Sequence, residues 1–337
     1  MRRELLGLLA LLAPGFGTFA ETPNAKASAF IKGFGFTDAE IASVAAGKVV
    51  TRDLATKDDN DVAVVGAARI GAPEGRLAEN RAQLEVFLKE GPVVVLGRFD
   101  SPPRIDDLAG LTLDPQDLRA SQRCRPGNCD FQLGTAAMES VRKVDWTSRQ
   151  GGAAFVGLLK EAMIDDLVSY QRDGRMAVYV DNEVPESVAA ALQKSLADSP
   201  YLPLDSPFMR YLVEYPNAAL PDTEDIFYWT KEKVRDPVIS VHHLIVHKGG
   251  DGETTDYTIA DKHIADNHYF LAAVELVWLL DDSGAKPGFY GVRLNRTRID
   301  PPREFRGLLL GRIRKAMRKT MYQSLTETKA SLEAIAP

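Results

Sequence analysis

Seven runs rich in β-branched and aromatic residues follow one another between Arg175 and Asp300, and they constrain the fold more than any other feature. They read RMAVYVD, FMRYLVEY, DIFYWTKEKV, VISVHHLIVHK, TTDYTIADKHI, HYFLAAVELVWLLDD and GFYGVRLNRTRID. Runs of this composition predict β-strands, and short connections such as Gly249–Gly252 predict antiparallel neighbours. In Tyr269–Asp281 the strict alternation of apolar side chains favours a strand over a helix.

A long amphipathic helix is predicted after these strands, from Glu304 to Ile335. Its predicted inner face is formed by Phe305, Leu309, Ile313, Met317, Thr320, Met321, Leu325 and Leu332. Such a helix needs an apolar surface to cover, and the concave face of the preceding sheet is the obvious one. The order of elements therefore predicts an α+β protein in which a curved antiparallel sheet grips a long C-terminal helix.

The first half of the chain mixes strand and helix patterns. We predict strands at Val62–Pro73 and Val93–Phe99, and helices after Thr37, at Glu74–Glu90, within Gly151–Gly174 and at Ser187–Ala197. Thr37 and Glu40 have the spacing of a capping box. We interpret residues 101–174 as a helical insertion within a single α+β domain that covers residues 21–337.

The first twenty residues have the features of a secretory signal peptide. Arg2 and Arg3 give a basic start, and an apolar run covers residues 5–13. Thr18 and Ala20 occupy the positions that a signal peptidase inspects, and the apolar run is shorter than the ~20 residues of a membrane-spanning helix. We therefore predict cleavage after residue 20 and a periplasmic or secreted location, with twin-arginine export as an alternative route.

Composition and charge restrict the partners of this 337-residue chain. Apolar residues make up 45% of it and charged residues 26%, which is typical of a globular protein. The formal net charge is −6, and a mildly acidic protein has no general attraction for nucleic acid. We predict no nucleic-acid partner.

The chain has two cysteines, Cys124 and Cys129, in the sequence CRPGNC. Close cysteines usually pair in an oxidising compartment, and Pro126-Gly127 favours the chain reversal that pairing needs. We predict a structural disulfide that stabilises a local turn by about 2 kcal/mol. The alternatives fit less well, because a redox-active pair usually has two intervening residues and a zinc site needs further ligands nearby.

All histidines of the chain lie between Ser240 and Phe270: His242, His243, His247, His263 and His268. On a strand, His243 and His247 share a face but stand about 13 Å apart, and His242 points to the other face. With Gly249–Gly252 as the hairpin centre, His243 and His247 lie opposite Thr258 and Thr254 rather than opposite other histidines. The HExxH motif is absent, so we interpret the cluster as compositional and predict no metal site and no cofactor.

Two polar residues are candidates for ligand binding. His243 lies on the more apolar face of its predicted strand, where it would need a hydrogen-bond partner. Arg296 shares a strand face with Tyr290 and Leu294, where it would hold a carboxylate or phosphate at the edge of an apolar cavity. A salt bridge between Arg296 and an aspartate is the alternative.

The predicted cavity lies between the sheet and the C-terminal helix. Its predicted lining is Phe270, Trp278, Tyr290, Val292, Leu294 and Met317, with His243 and Arg296 as polar handles. The C-terminal helix also carries a basic patch: Arg303, Arg306, Arg312, Arg314, Lys315, Arg318 and Lys319. Such a patch is typical either of a solvated helix face or of a contact with anionic lipid heads, so a peripheral membrane contact is a second possible partner.

Several short segments resemble those of a group of secreted bacterial proteins of unassigned function. They are CRPGNCD, YWTKEKV, HYF and NRTRID. The order of elements is also distantly similar to the START and polyketide-cyclase-like helix-grip superfamily. That resemblance implies a curved antiparallel sheet around a long C-terminal helix with an apolar cavity, and it carries no catalytic residue over to this chain.

We therefore predict a binding protein for an apolar or amphipathic, lipid-like small molecule. Two alternatives stay open. One is an enzyme of the same fold with His243 as general base. The other is a non-enzymatic envelope protein that docks on a membrane or a partner through its basic C-terminal helix.

Overall fold

The computed structural model describes residues 24–79, 93–122, 131–179, 186–233, 237–249, 257–268, 270–282, 288–299 and 306–334. The predicted signal peptide, residues 1–20, and the predicted disulfide between Cys124 and Cys129 lie outside these ranges and stay predictions. Most of the helix predicted at Glu74–Glu90 also lies outside them, and Gly75–Ala78 is helical as predicted.

An eight-stranded antiparallel sheet is the centre of the fold. In spatial order its strands are β1 (Val50–Leu54), β2 (Asp61–Ile70), β10 (Phe289–Ile299), β9 (Phe270–Asp281), β8 (Tyr257–Asp266), β7 (Pro237–Lys248), β6 (Thr223–Lys233) and β3 (Val93–Arg98). The sheet is open, with β1 and β3 at its edges. A small separate ribbon pairs β4 (Val178–Tyr179) with β5 (Glu186–Ser187). The prediction of an α+β protein built on an antiparallel sheet is confirmed.

Helices cover both faces of this sheet. They are α1 (Ala25–Gly33), α2 (Asp38–Ala45), α3 (Gly75–Ala78), α4 (Pro115–Ser121), α5 (Thr135–Val141), α6 (Gly151–Asp173), α7 (Val188–Ala197), α8 (Pro207–Glu214) and α9 (Arg306–Ala334). Helices α1, α2, α6, α7 and α8 share a core with one face, which we call the multi-helix face. Helix α9 packs on the opposite face, which we call the α9 face.

The run FMRYLVEY is a helix, α8, and its assignment as a strand is wrong. Ser206 caps this helix by accepting a hydrogen bond from the backbone N–H of Met209 at 3.2 Å, and Pro207 stands at the first helical position. Both residues are standard signals of a helix start. Phe208 and Leu212 are buried at helical spacing, so packing against the multi-helix face completes what the cap begins.

The C-terminal helix α9 forms where the sequence predicts it, but it covers the β1–β2 side of the sheet rather than the centre. Gly66 of β2 permits a close approach: a Cβ at this position would lie 2.6 Å from Leu325 Cδ1 and 3.0 Å from the Met321 sulfur. The inner face of α9 also differs in detail, because Leu310 is buried and Leu309 is exposed. The contact between α9 and β2 is therefore tightly filled.

The helices of the segment at residues 101–174 pack on the sheet. A 3-10 helix at Ile105–Leu108 and the longer α6 are in contact, and buried residues of α5 and α6 belong to the same core as the multi-helix face. Trp229 of β6 joins the segment to the sheet, because its indole N–H donates to the Asp107 carbonyl at 3.0 Å.

Candidate metal centre

The sheet divides the residues predicted to line one cavity. Trp278, Tyr290, Val292 and Leu294 are buried in the core of the multi-helix face. The ring of Trp278 lies 5.5 Å from Phe30 and 5.4 Å from Phe34 of the α1 region. Phe270 and Met317 lie on the α9 face, beside Ile299 and Leu310. The structure therefore does not bring the predicted lining together around one space.

A small cavity of about 40 Å³ lies between α6 and the multi-helix face of β7 and β8. Met163, Asp166, Val241 and Ala265 are among its walls. Pockets for organic ligands have volumes of roughly 300–1,000 Å³, whereas a space of this size accommodates one or two water molecules. This cavity is too small for a lipid-like ligand.

Asp166 lies in the α6 wall of this cavity, and its raised pKa should make the free energy of unfolding depend on pH. Burial, with a smaller effect of Asp165, raises the pKa of Asp166 from 3.8 to about 6. A carboxyl whose folded pKa is raised adds stability below its unfolded pKa and loses it as the pH rises through the folded value. We expect Asp166→Asn to raise the free energy of unfolding by about 1–3 kcal/mol near pH 8 and to change it little near pH 4. Urea unfolding at both pH values measures this, and an equal effect at both contradicts it.

Arg296 forms a buried ion pair and does not face a ligand cavity. Its guanidinium donates to Asp61 Oδ2 at 2.8 Å and to the Ser195 hydroxyl at 2.8 Å, and the Arg296 and Asp61 side chains are 1% and 0% exposed. Arg298 donates to the other oxygen of the same carboxylate at 3.2 Å. The salt-bridge alternative is the arrangement observed, and through Ser195 it fastens α7 to β2 and β10.

His243 is buried on the multi-helix face and both of its ring nitrogens have partners. Nδ1 accepts from the Tyr170 hydroxyl at 2.8 Å, and Nε2 donates to Asp225 Oδ1 at 2.8 Å. Burial lowers the pKa of His243 to about 4, against the opposing effect of Asp225, so the ring is neutral and this tautomer satisfies both nitrogens. A general base needs a free nitrogen facing its substrate, and the geometry gives no support to that role.

Lys262, directly opposite His243 in the sheet, is a second buried titratable group on this face. Its Nζ donates to the Leu212 carbonyl of α8 at 2.6 Å and lies 4.8 Å from the centre of the Tyr170 ring. Burial lowers the pKa of Lys262 to about 7. This amine is used to hold α8 against β8.

On the α9 face, the hairpin of β7 and β8 places His242 directly opposite His263. The connection between the two strands is longer than the assumed turn, because β7 ends at Lys248 and β8 begins at Tyr257. His247 consequently pairs with Thr258, and His243 pairs with Lys262. The predicted register is therefore wrong by four residues, and the true register brings two histidines together.

A bulge beside this pair brings a carboxylate to the same face. Val241 pairs with Ala265, whereas the next residue, His242, pairs with His263. In a regular strand His263 and Asp266, three positions apart, point to opposite faces. The extra residue turns both onto the α9 face, where His263 Nδ1 lies 2.9 Å from Asp266 Oδ1. Bulges commonly re-aim side chains in this way next to functional sites.

His242, Asp261 and His263 have the geometry of a metal-ligand set. Each offers one ligand atom, and the three atoms lie within 4.8 Å of one another. His242 Nδ1 and Asp261 Oδ1 are 3.2 Å apart, close to the roughly 3.3 Å that separates two ligands bound to a tetrahedral zinc ion. The Asp261 and His263 side chains are 16% and 15% exposed, and that of His242 is 3% exposed, so solvent reaches one side of the cluster.

The atoms of these residues that would not bind an ion are held by neighbouring side chains. His242 Nε2 lies 2.9 Å from the Thr230 hydroxyl, and the Tyr228 hydroxyl donates to Asp261 Oδ2 at 2.5 Å. Asp266, which also accepts from the Ser240 hydroxyl, accepts from His263 Nδ1. Within the part of the chain that the structure describes, His263 Nε2 has no hydrogen-bond partner. Outer contacts of this kind orient the ligands of metal sites.

The electrostatics of the cluster favour a cation. Burial by itself would raise the pKa of Asp261, but the nearby imidazoles and the Tyr228 hydroxyl lower it below its ordinary value. Burial also opposes a charge on His263, yet Asp266 and the other carboxylates raise the pKa of His263 to about 9. Burial raises the pKa of neighbouring Glu232. The site therefore stabilises positive charge at His263, which either a proton or a metal ion can supply.

Comparison with known proteins assigns this chain to no family. No protein-family model, no curated protein and no solved structure matches this chain. Among the residues that the structure describes, none of the helices combines the length and the apolar character needed to cross a membrane. The assignment of the site therefore depends on its geometry.

Part of this site was accessible to sequence reasoning. Asp261 and His263 stand two positions apart in ADKHIAD, so a strand places them on one face. The contribution of His242 depends on the register, and those of Tyr228 and Thr230 depend on the neighbouring strand β6. Only the first of these three signals is local in sequence.

Proposed function

We propose that this protein binds one divalent transition metal ion through His242, Asp261 and His263, and that the ion keeps a coordination position open to solvent. The main support is that, in each of the three side chains, the polar atom that would not bind the ion is held by a hydrogen bond to a neighbouring side chain. Imidazole and carboxylate ligands suit zinc and related first-row ions. Three protein ligands with a free position are typical of catalytic zinc sites, whereas structural zinc sites usually have four.

The rival arrangement is a metal-free network of ion pairs, in which protonated His263 lies between Asp261 and Asp266. Both arrangements use the same contacts, so direct metal binding separates them. The helix-grip resemblance implies a cavity beneath α9. The packing does not support such a cavity where α9 meets β2, because Leu325 and Met321 lie against Gly66. The lipid-like ligand and the secreted location stay predictions.

We expect tag-free protein, after removal of metal by a chelator, to take up about one equivalent of Zn²⁺. When Co²⁺ is added instead of Zn²⁺, the protein should show the visible absorption spectrum of tetrahedral Co²⁺. His263→Ala and Asp261→Ala should weaken Zn²⁺ binding by more than roughly 100-fold, because each removes a ligand. Asp266→Asn should weaken it roughly 10- to 100-fold through the orientation of His263. Isothermal titration with Zn²⁺ and elemental analysis measure these effects.

His247→Ala is the matched control. This residue lies on the same strand, β7, but contacts Thr223 and Phe208 rather than the cluster, so its Zn²⁺ affinity should equal that of the unchanged protein. Absence of stoichiometric Zn²⁺ uptake, or an equal loss in His247→Ala and His263→Ala, overturns the proposal. Added azide should alter the Co²⁺ spectrum if a position is open, and an unaltered spectrum overturns the open-site part.

A further inference from the structure

The first half of α9 is strongly basic in a chain of net charge −6. Its sequence, RGLLLGRIRKAMRK from Arg306 to Lys319, contains six basic residues and no acidic one. Acidic residues of this helix, Glu327 and Glu333, stand in its second half. Positive charge is therefore concentrated at one end of a long surface helix.

The outward side of this helix carries exposed apolar residues among its cations. Leu308 is 60% exposed, Leu309 37% and Tyr322 49%. Arg312, Lys315 and Lys319 are exposed on the same side, since the spacing from 308 to 312, 315, 319 and 322 follows the helical repeat. We call this set, from Leu308 to Tyr322, the outer stripe of α9.

The cations of the outer stripe do not stabilise the described part of the fold through ion pairs. Arg318, beside the stripe, donates to Asp53 at 3.4 Å. By contrast, no ion pair joins Arg312, Lys315 or Lys319 to an acidic group in the described ranges. The inner side of the helix supplies its packing, through Leu310, Met321 and Leu325. The charge on the stripe is therefore not explained by the stability of the fold.

We propose that the outer stripe of α9 adsorbs to the surface of an anionic phospholipid bilayer. Cations along a helix that lies in the interface attract acidic headgroups, and exposed leucines at its start reach the apolar region just below them. This inference is independent of the metal site, whose residues lie on β7 and β8.

The three cations of the outer stripe have no ion pair with the described residues, and they predict a large effect of lipid charge. Each Lys or Arg near an anionic surface contributes about fivefold to the partition coefficient, so three contribute roughly 100-fold. Salt screens such contacts, so binding should weaken as ionic strength rises. The leucines should leave a smaller, salt-resistant part of the binding.

The test is cosedimentation of the full chain with vesicles. We expect binding to vesicles that contain phosphatidylglycerol and little binding to vesicles of phosphatidylcholine alone. Replacing Arg312, Lys315 and Lys319 together by Glu should weaken binding to the anionic vesicles at least 100-fold. Leu308→Ser with Leu309→Ser should remove the salt-resistant part.

A matched control replaces three exposed cations by Glu: Arg142 and Lys143, which follow α5, and Arg149, which precedes α6. It changes the net charge equally and should keep vesicle binding close to that of the unchanged chain. Equal losses in the two triple variants, equal binding to both vesicle types, or no binding to anionic vesicles each overturn the proposal. Zn²⁺ uptake by the α9 variant should stay unchanged, so failure here is distinguishable from failure of the metal site.

Discussion

Asp61→Ala should lower the free energy of unfolding by roughly 3–5 kcal/mol, the usual cost of removing one partner from a buried ion pair. Asp61 is fully buried and its carboxylate accepts from Arg296, Arg298 and Ser195. Its loss leaves the guanidinium of Arg296 buried without a counter-charge, which is far more costly than the loss of the hydrogen bonds alone. Urea unfolding monitored by circular dichroism measures the change.

Glu139→Ala is the matched control, since it removes the acidic partner of an exposed pair. Glu139 and Arg142 lie 3.1 Å apart with side chains 49% and 57% exposed, and such pairs contribute at most about 1 kcal/mol. Asp61→Ala should also cost less in an Arg296→Met background, because the unpaired charge is then absent. Equal costs for Asp61→Ala in the two backgrounds contradict the assignment.

Gly174→Ala should be the second strongly destabilising change, with a loss of roughly 3 kcal/mol or more. Gly174 ends α6 with φ of +75°, a conformation that costs an L-residue about 1–2 kcal/mol. A Cβ would also lie 2.5 Å from the Tyr215 carbonyl oxygen. Because that oxygen belongs to the backbone, relief requires movement of the segment after α8.

Gly35→Ala separates these two contributions. Gly35 has φ of +80°, and a Cβ there would meet nothing within 4 Å, so only the backbone cost of about 1–2 kcal/mol applies. The difference between the two variants, measured as the shift of the urea midpoint at an unchanged slope, reports the clash at Gly174. Equal shifts mean that the chain around Tyr215 yields freely.

The elements with strong local signals were predictable. Strict alternation identified β9, the helical spacing of apolar residues identified α6 and α9, and the capping box of Thr37 and Glu40 is present at the start of α2. The error at α8 has a physical cause. Eight residues rich in aromatic and apolar side chains fit either period, and the helix cap, Ser206, stands before the run that was assigned as a strand.

The candidate site was less predictable because its residues meet through pairing. The β7–β8 register depends on the length of the connection and on one bulge, and each changes which side chains face each other. The predicted lining failed to converge for a related reason. Alternation correctly placed Trp278 and Tyr290 on one face, but a register shift at the start of β9 turns Phe270 to the other face. Alternation also contains no information about which face α9 covers.

By itself, the sequence determined most strands and helices, with α8 as the exception, and the basic character of α9. It also determined the faces of strand residues away from the bulges, because these features follow from residue type and spacing within a few turns. Tertiary structure alone decided that Arg296 meets Asp61, 235 positions away, and that His242 meets His263 across the sheet. Such contacts depend on the order of strands, the register and the choice of face. Those are properties of the assembled sheet, where a shift of one residue changes every neighbour.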